Sequence, residues 1–328
     1  MSAAVGTSRW QSADTWRGLF RDRPVIPLTG LLVVLVVVIE LADPGIVGPS
    51  WAAVILRQSV PLAILAGCQV LAMLTGGIDL SVGAVASMAG FVTATLINSW
   101  GLPAAIIVPL AVAALVGLIT GIGVGVFRVH PLIMTLGMSL VVLGLANVWQ
   151  LQNVQTGAGV PAELRTLGSG TFLDVVPLSL LVFVPVAAII LFSLKRTGYG
   201  RLLYAIGDNP IAARLSGARA WQVLIVLYVI SAVLAGIAGL LLSGLTNTAS
   251  VSLAESSVLP AVAAAVIGGT SIMGGRGGYG GAIVGALILT VLTALLTVLG
   301  LPEASRQIVF GAIIVVVAAA YTRVTGET

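Results

Sequence analysis

The sequence predicts an all-α membrane protein of about ten transmembrane helices, built as two inverted five-helix halves. Three observations carry that expectation. Of 328 residues, 59% are hydrophobic and 8% charged, where a soluble domain carries roughly a quarter charged residues. The apolar residues fall in runs of about the length that crosses a bilayer. The charges flank those runs instead of interrupting them. Lipid must then solvate the surface, and within lipid only helices and closed barrels satisfy every backbone polar group. The net charge of +4 therefore belongs to helix ends, and nucleic acid binding is not expected.

A crossing helix needs roughly 20 apolar residues. That ruler places spans at 25–43, 52–74, 78–98, 104–127, 132–151, 175–194, 222–245, 257–273, 280–299 and 306–322. Pro44, Pro103, Pro131, Pro177 and Pro302 stand near helix starts, where proline is tolerated. The first run is too long for a signal-peptide core, and Asp43-Pro44-Gly45 is not a small-x-small cleavage site, so it is expected to stay as a helix. Glu40, near its end, is expected to snorkel to the outer interface. Ahead of it, residues 1–24 form a basic tail. Trp10, Ala13, Trp16 and Phe20 stand there at near-helical spacing, which fits an interfacial helix or a disordered tail.

Orientation follows from the basic residues. With the N-terminus in the cytoplasm, the inner side holds Arg9, Arg17, Arg21, Arg23, Arg128, Lys195, Arg196, Arg201, Arg214, Arg219, Arg276 and Arg323, twelve in all. The outer side holds three: Arg57, Arg165 and Arg306. Both termini are therefore expected in the cytoplasm, and residues 195–221 form the largest inner loop. The segment from Thr75 to Gly83, which opens Thr75-Gly76-Gly77-Ile78-Asp79, echoes Ile267-Gly268-Gly269-Thr270-Ser271 and its continuation to Gly275. Five helices per half is an odd number, so the second half would be inverted, as in many transporters.

Several chemistries are missing. A P-loop needs G-x-x-x-x-G-K-[ST], and the one lysine, Lys195, precedes Arg196 and follows no glycine-rich loop. His130 is the one histidine and Cys68 the one cysteine, so neither a metal site nor an internal disulfide is expected. Gly274-Gly275-Arg276-Gly277-Gly278 resembles a phosphate nest but lacks the rest of that motif, and reads as a tight turn. No cofactor is expected on this chain.

Residues 207–217 read as a short helix. Asp208 or Asn209 suits the N-cap, Pro210 the first helical position, and Gly217 a left-handed end. Ile211, Ala212 and Leu215 share one side. So short a helix needs a surface to pack on, either its own membrane helices or another protein. Asp79, at the edge of an apolar segment, reads as the N-cap of the third span, as a pathway residue, or as both.

These segments resemble the ribose-type permease subunits of ABC sugar importers. The similarity is carried by Thr75-Gly76-Gly77-Ile78-Asp79-Leu80-Ser81-Val82-Gly83, by Thr197-Gly198-Tyr199-Gly200-Arg201, by Gly207-Asp208-Asn209 with Ala212-Ala213-Arg214-Leu215-Ser216-Gly217, and by Val266-Ile267-Gly268-Gly269-Thr270-Ser271 with Gly274-Gly275-Arg276-Gly277. It runs from about residue 50 to 320. It implies a non-enzymatic permease of the bacterial inner membrane, paired with a second copy. A cytoplasmic ATPase subunit would hold ATP and magnesium, and an extracytoplasmic binding protein would deliver a monosaccharide. Pentoses such as ribose lead; hexoses, sugar-like signals and nucleosides also fit. Gly207, Asp208, Asn209, Pro210, Ala212, Ala213, Arg214, Leu215 and Gly217 match the region that couples to the ATPase. A neutral sugar needs hydrogen-bonding groups on its path, and Gly76, Gly77, Asp79, Ser81, Thr135, Asn147, Thr270 and Ser271 are the expected ones, with Ser139 beside them. Arg165 and Arg306 are the expected contacts for the binding protein. Two departures stand out: Leu143-Gly144-Leu145 where the family usually has Arg before Gly-Leu, and Pro210-Ile211 where it often has acidic residues. The rival is an ion-coupled secondary transporter, for which Asp79 would be the coupling carboxylate.

Overall fold

The structure, a computed structural model, describes residues 25–153, 159–173, 175–302, 304–312 and 315. The basic tail 1–24 and most of the last expected span lie outside the described residues. Helix α1 (Val25–Ala42) leads to α2 (Pro49–Leu74), α3 (Val82–Gly125) and α4 (Pro131–Asn153). A short helix α5 (Ala162–Ser169) and a two-stranded ladder, β1 (Thr171–Phe172) with β2 (Val176–Pro177), precede α6 (Leu180–Arg196). Then come α7 (Gly198–Asp208), α8 (Pro210–Leu215) and α9 (Ala220–Thr246). A 3-10 turn (Glu255–Ser257) opens α10 (Val258–Ile267), α11 is Tyr279–Val298, and residues 304–312 are helical. Among the described residues six helices are long and apolar enough to cross a membrane, seven if the bent pair α6–α7 counts as one. The chain is an all-α membrane protein apart from that small ladder.

Helix α3 has 44 residues, which would be about 66 Å if straight. It is not straight. Gly101 leaves the helical region at φ +74°, and Thr93 Oγ1 donates to the carbonyl of Ala105 at 2.8 Å. Twelve helical residues would separate that pair by about 18 Å, so the chain doubles back at Gly101 and two antiparallel arms result. Helices α2 and α9 fill the centre, with Leu65, Met73, Leu227 and Ala235 fully buried in one cluster. Helix α9 packs along both arms of α3, on small residues such as Ala86 and Gly239, which is how membrane helices approach closely. Helix α1 is peripheral. Its Ile39 joins Ile55, Val291 and Leu295, while Val33, Val34 and Val37 are exposed, as a lipid-facing surface would be.

Five boundaries differ from the sequence expectation, and the reason is shared: hydropathy registers apolar content but not a departure from helical backbone. The third span begins at Val82, because 78–81 is non-helical. The eighth ends at Ile267, and 268–278 is loop. The sixth begins at Leu180, after the ladder. The third and fourth spans are joined through Gly101 without a polar loop. The segment 195–221 holds two helices, α7 and α8, with α7 bent 68° from α6. The carboxylate of Glu40 accepts from the backbone N–H groups of Gly45 and Val47 at 2.8 and 3.0 Å, tying off the loop after α1.

Candidate coupling surface

Thr197 starts the turn at the end of α6, its hydroxyl accepting from Gly200 N at 3.2 Å. Helix α7 then buries Leu203 and Ile206 in the core. At its end, Asn209 Oδ1 accepts from Ile211 N and Ala212 N at 3.1 and 2.9 Å. Asn209, rather than Asp208, is thus the N-cap of α8, with Pro210 at its first position. Gly217 adopts φ +87°, a left-handed end that favours glycine. Its N–H reaches Arg214 O, and Ala218 N reaches Ala213 O, both at 3.0 Å. Arg214 Nε donates back to Pro210 O at 3.1 Å. A six-residue helix, too short to persist alone, is thereby closed at both ends.

Its faces are unequal. Ala213 points inward and is 7% exposed, whereas Ile211 is 64% and Leu215 84% exposed. Ala212 is exposed beside them. Among the described residues, the side shared by Ile211, Ala212 and Leu215 is therefore largely uncovered, and Ala213 is the buried residue of the helix. Beside α8, between α7 and the start of α9, lies an open cavity of about 670 Å3, lined among others by Ala205, Asp208, Ala212, Arg219 and Gln222.

Beneath α7 three backbone segments meet. Any Cβ at Gly207 would overlap the carbonyl oxygen of Leu74 and crowd the N–H of Gly275. Gly275 N itself donates to Leu74 O at 3.0 Å. Tyr204 of α7 donates to Gly277 O at 2.9 Å. Thus α7 rests on the end of α2 and on the segment that precedes α11. The two Gly-Gly segments that echo each other in sequence lie together at this end of the bundle. Inverted copies would stand at opposite ends, so that echo does not carry the inversion.

The expected pathway residues assemble close by, but as a buried knot. Asp79 is 1% exposed. Its Oδ1 accepts from Ser81 N at 3.0 Å and Ser81 Oγ at 2.6 Å, and its Oδ2 from Ser231 Oγ of α9 at 2.8 Å. Gln69 of α2 pairs with the Asp79 backbone in both directions, at 2.7 and 3.3 Å. Thr135 of α4 donates to Ile78 O and accepts from Leu80 N, both at 3.1 Å. Asp79 thus caps the first turn before α3 through the Ser81 N–H, while Ser81 itself makes no side-chain cap, and the second carboxylate oxygen of Asp79 bridges to α9. Thr270 and Ser271 are also buried; Ser271 N donates to Arg276 O, and Ser271 Oγ accepts from Met273 N. Gly77 is buried, Gly76 exposed and Ser139 half-buried. Asn147 lies apart, exposed on α4 and donating to Leu143 O at 2.9 Å.

The far end of α9 packs on α5, the helix that carries Arg165. Leu164 of α5 packs with Leu240, about 27 Å along α9 from Gln222. Arg165 on α5 is exposed. Arg57 Nη1 donates to Ser169 O. Arg306 is half-buried and donates from Nε and Nη2 to Leu301 O at 3.3 Å.

A family model described as branched-chain amino acid transport system / permease component matches residues 52–318. The chain is 34% identical over 291 residues to the ribose import permease protein RbsC of Bacillus subtilis (strain 168), covering 88% of this chain and 90% of that one. It is 34% identical over 287 residues to RbsC of Escherichia coli (strain K12), covering 86% and 89%. To the fructose import permease protein FrcC of Rhizobium meliloti it is 31% identical over 302 residues, covering 87% and 83%. No solved structure matches.

Proposed function

We propose, from the premise that this chain belongs to the family of branched-chain amino acid transport system permease components, that it is the membrane-spanning subunit of an ATP-driven monosaccharide importer, with a pentose such as ribose leading the candidates. One observation carries the reading: about a third identity, over nearly the whole of both chains, to permeases named for ribose and fructose import. The chain is a pathway, not an enzyme. ATP and magnesium belong to a separate ATPase subunit, because the sequence offers no phosphate-binding lysine in P-loop context.

In this reading the exposed side of α8 docks on that subunit, so the α8 end is cytoplasmic. The α5 end then meets the extracytoplasmic binding protein, through Arg165 foremost. The chain has ten spans in two inverted halves, with both termini in the cytoplasm of a bacterium, and works as a homodimer in the inner membrane. The doubling-back at Gly101 supports the count, since it makes two spans of α3. The pile-up of Leu74, Gly207 and Gly275 supports a transmission role for α7, since its displacement would press on the end of α2. The test is reconstitution. Sugar uptake into liposomes is expected only with the ATPase subunit and the binding protein present. Uptake by this chain alone under a proton gradient would overturn the reading in favour of ion coupling.

A further inference from the structure

A second cavity, of about 410 Å3, opens between α2, the turn before α10, α11 and residues 304–312, and none of the expected site residues lines it. Polar side chains from four elements line it: Gln58, Glu255, Ser256, Thr290, Thr293 and Gln307. Leu62 and Phe310 give it an apolar wall. Its depth can be read from the helices. Gln58 and Leu62 stand near the middle of α2, and Thr290 and Thr293 just past the middle of α11. The turn that carries Glu255 is pinned at that level, because Ala254 N donates to Ser87 Oγ of α3 at 2.8 Å. An ionisable side chain at mid-helix depth is costly in lipid and calls for a function.

We propose that this cavity, resting on the importer reading above, is a transit site for the neutral polyol that the permease carries, with Glu255 as its main hydrogen-bond acceptor. Thr290 and Thr293 already donate to Ala286 O and Leu289 O, at 2.9 and 2.8 Å, so their oxygens remain as acceptors. Gln58 and Gln307 supply amide donors. A ring of acceptors with a few donors matches a molecule whose hydroxyls both donate and accept, and the Phe310 wall suits its C–H face. A bound cation fits less well: among the described residues no three His, Cys, Asp or Glu side chains cluster.

The test uses the complete transporter, with ATPase subunit and binding protein, in liposomes, with D-ribose, D-xylose and D-fructose as probes. Glu255→Gln is expected to lower uptake about tenfold, the scale of one charge-assisted hydrogen bond, at wild-type permease abundance and ATPase copurification. Independently, Thr293→Cys and Gln58→Cys are expected to react with a hydrophilic methanethiosulfonate, and the transported sugar to slow that reaction. The native Cys68 is fully buried and will not report. Wild-type uptake by Glu255→Gln, or modification indifferent to sugar, overturns the transit site alone. ATP-independent uptake by the wild type, or none of any probe, overturns the importer reading and the site with it.

Discussion

The α-carbon of Gly207 stands so close to the carbonyl of Leu74 that no other residue fits at 207 without moving one of them. Leu74 O is already engaged by Gly275 N at 3.0 Å, so the oxygen cannot simply turn away. Gly207→Ala is therefore expected to push α7 off both underlying segments. Overpacking of this kind costs about 1–3 kcal/mol. A lower melting temperature of the detergent-solubilised permease, with weaker ATPase copurification, is the expected result. Wild-type values for both would mean that the three segments are not in firm contact.

The two sides of α8 separate docking from folding. Ile211→Asp and Leu215→Glu change side chains that are mostly exposed among the described residues, and surface changes of that kind are usually within about 0.5 kcal/mol of neutral. Normal permease abundance with lost ATPase copurification is expected. Ala213→Trp should behave in the opposite way, because Ala213 is buried against its own subunit. It is expected to reduce abundance while leaving the surviving molecules able to bind. Full copurification by the Leu215→Glu variant would remove α8 from the docking surface.

Asp79 distinguishes a structural staple from a proton carrier. Three donors converge on its carboxylate. Asp79→Ala strands Ser81 Oγ and Ser231 Oγ in a buried site, at about 1–3 kcal/mol for each unsatisfied group. A large loss of thermal stability is expected. Asp79→Asn keeps the shape but not the full acceptor set, and should fall between the two. ATP-driven uptake by the wild type should be indifferent to collapse of the proton gradient; sensitivity to an uncoupler at constant ATP would revive the ion-coupled rival.

What the sequence could disclose depends on how local the cause is. The cap, the proline and the left-handed end of α8 are set within eleven residues, and Asn209, Pro210 and Gly217 stand in the structure as their types dictate. The long apolar runs were legible because lipid solvation acts on composition. The meeting of Leu74, Gly207 and Gly275 was not, because it joins residues more than 130 and 200 positions apart by backbone contacts that carry no side-chain signature. Polarity alone did not disclose the partners of these side chains: Asp79, Ser81 and Thr135 tie α2, α3, α4 and α9 together. The turn at Glu255 was hidden for a related reason. It directly precedes an apolar helix, and its depth shows in the pairing of Ala254 with Ser87 and in the α2 and α11 residues it faces.

Arg165 and Arg306 were expected to share a role, and their surroundings now divide them. Arg165 is exposed on α5, whereas Arg306 is half-buried and bonded to Leu301 O. If the α5 end receives the binding protein, Arg165→Glu should slow docking more than it weakens the final complex, since rim charges act mainly on association rate. An exposed pair contributes only about 0–1 kcal/mol, so the change should appear as a lower rate of binding-protein-stimulated ATP hydrolysis at low salt. It should shrink as ionic strength rises and the Debye length falls below about 10 Å. Arg306→Glu, by contrast, breaks a contact that holds the chain entering residues 304–312, and is expected to lower thermal stability at every salt concentration. Stimulation by the Arg165→Glu variant that matches wild type at low salt would leave Arg165 as an anchor for α5 at the membrane surface.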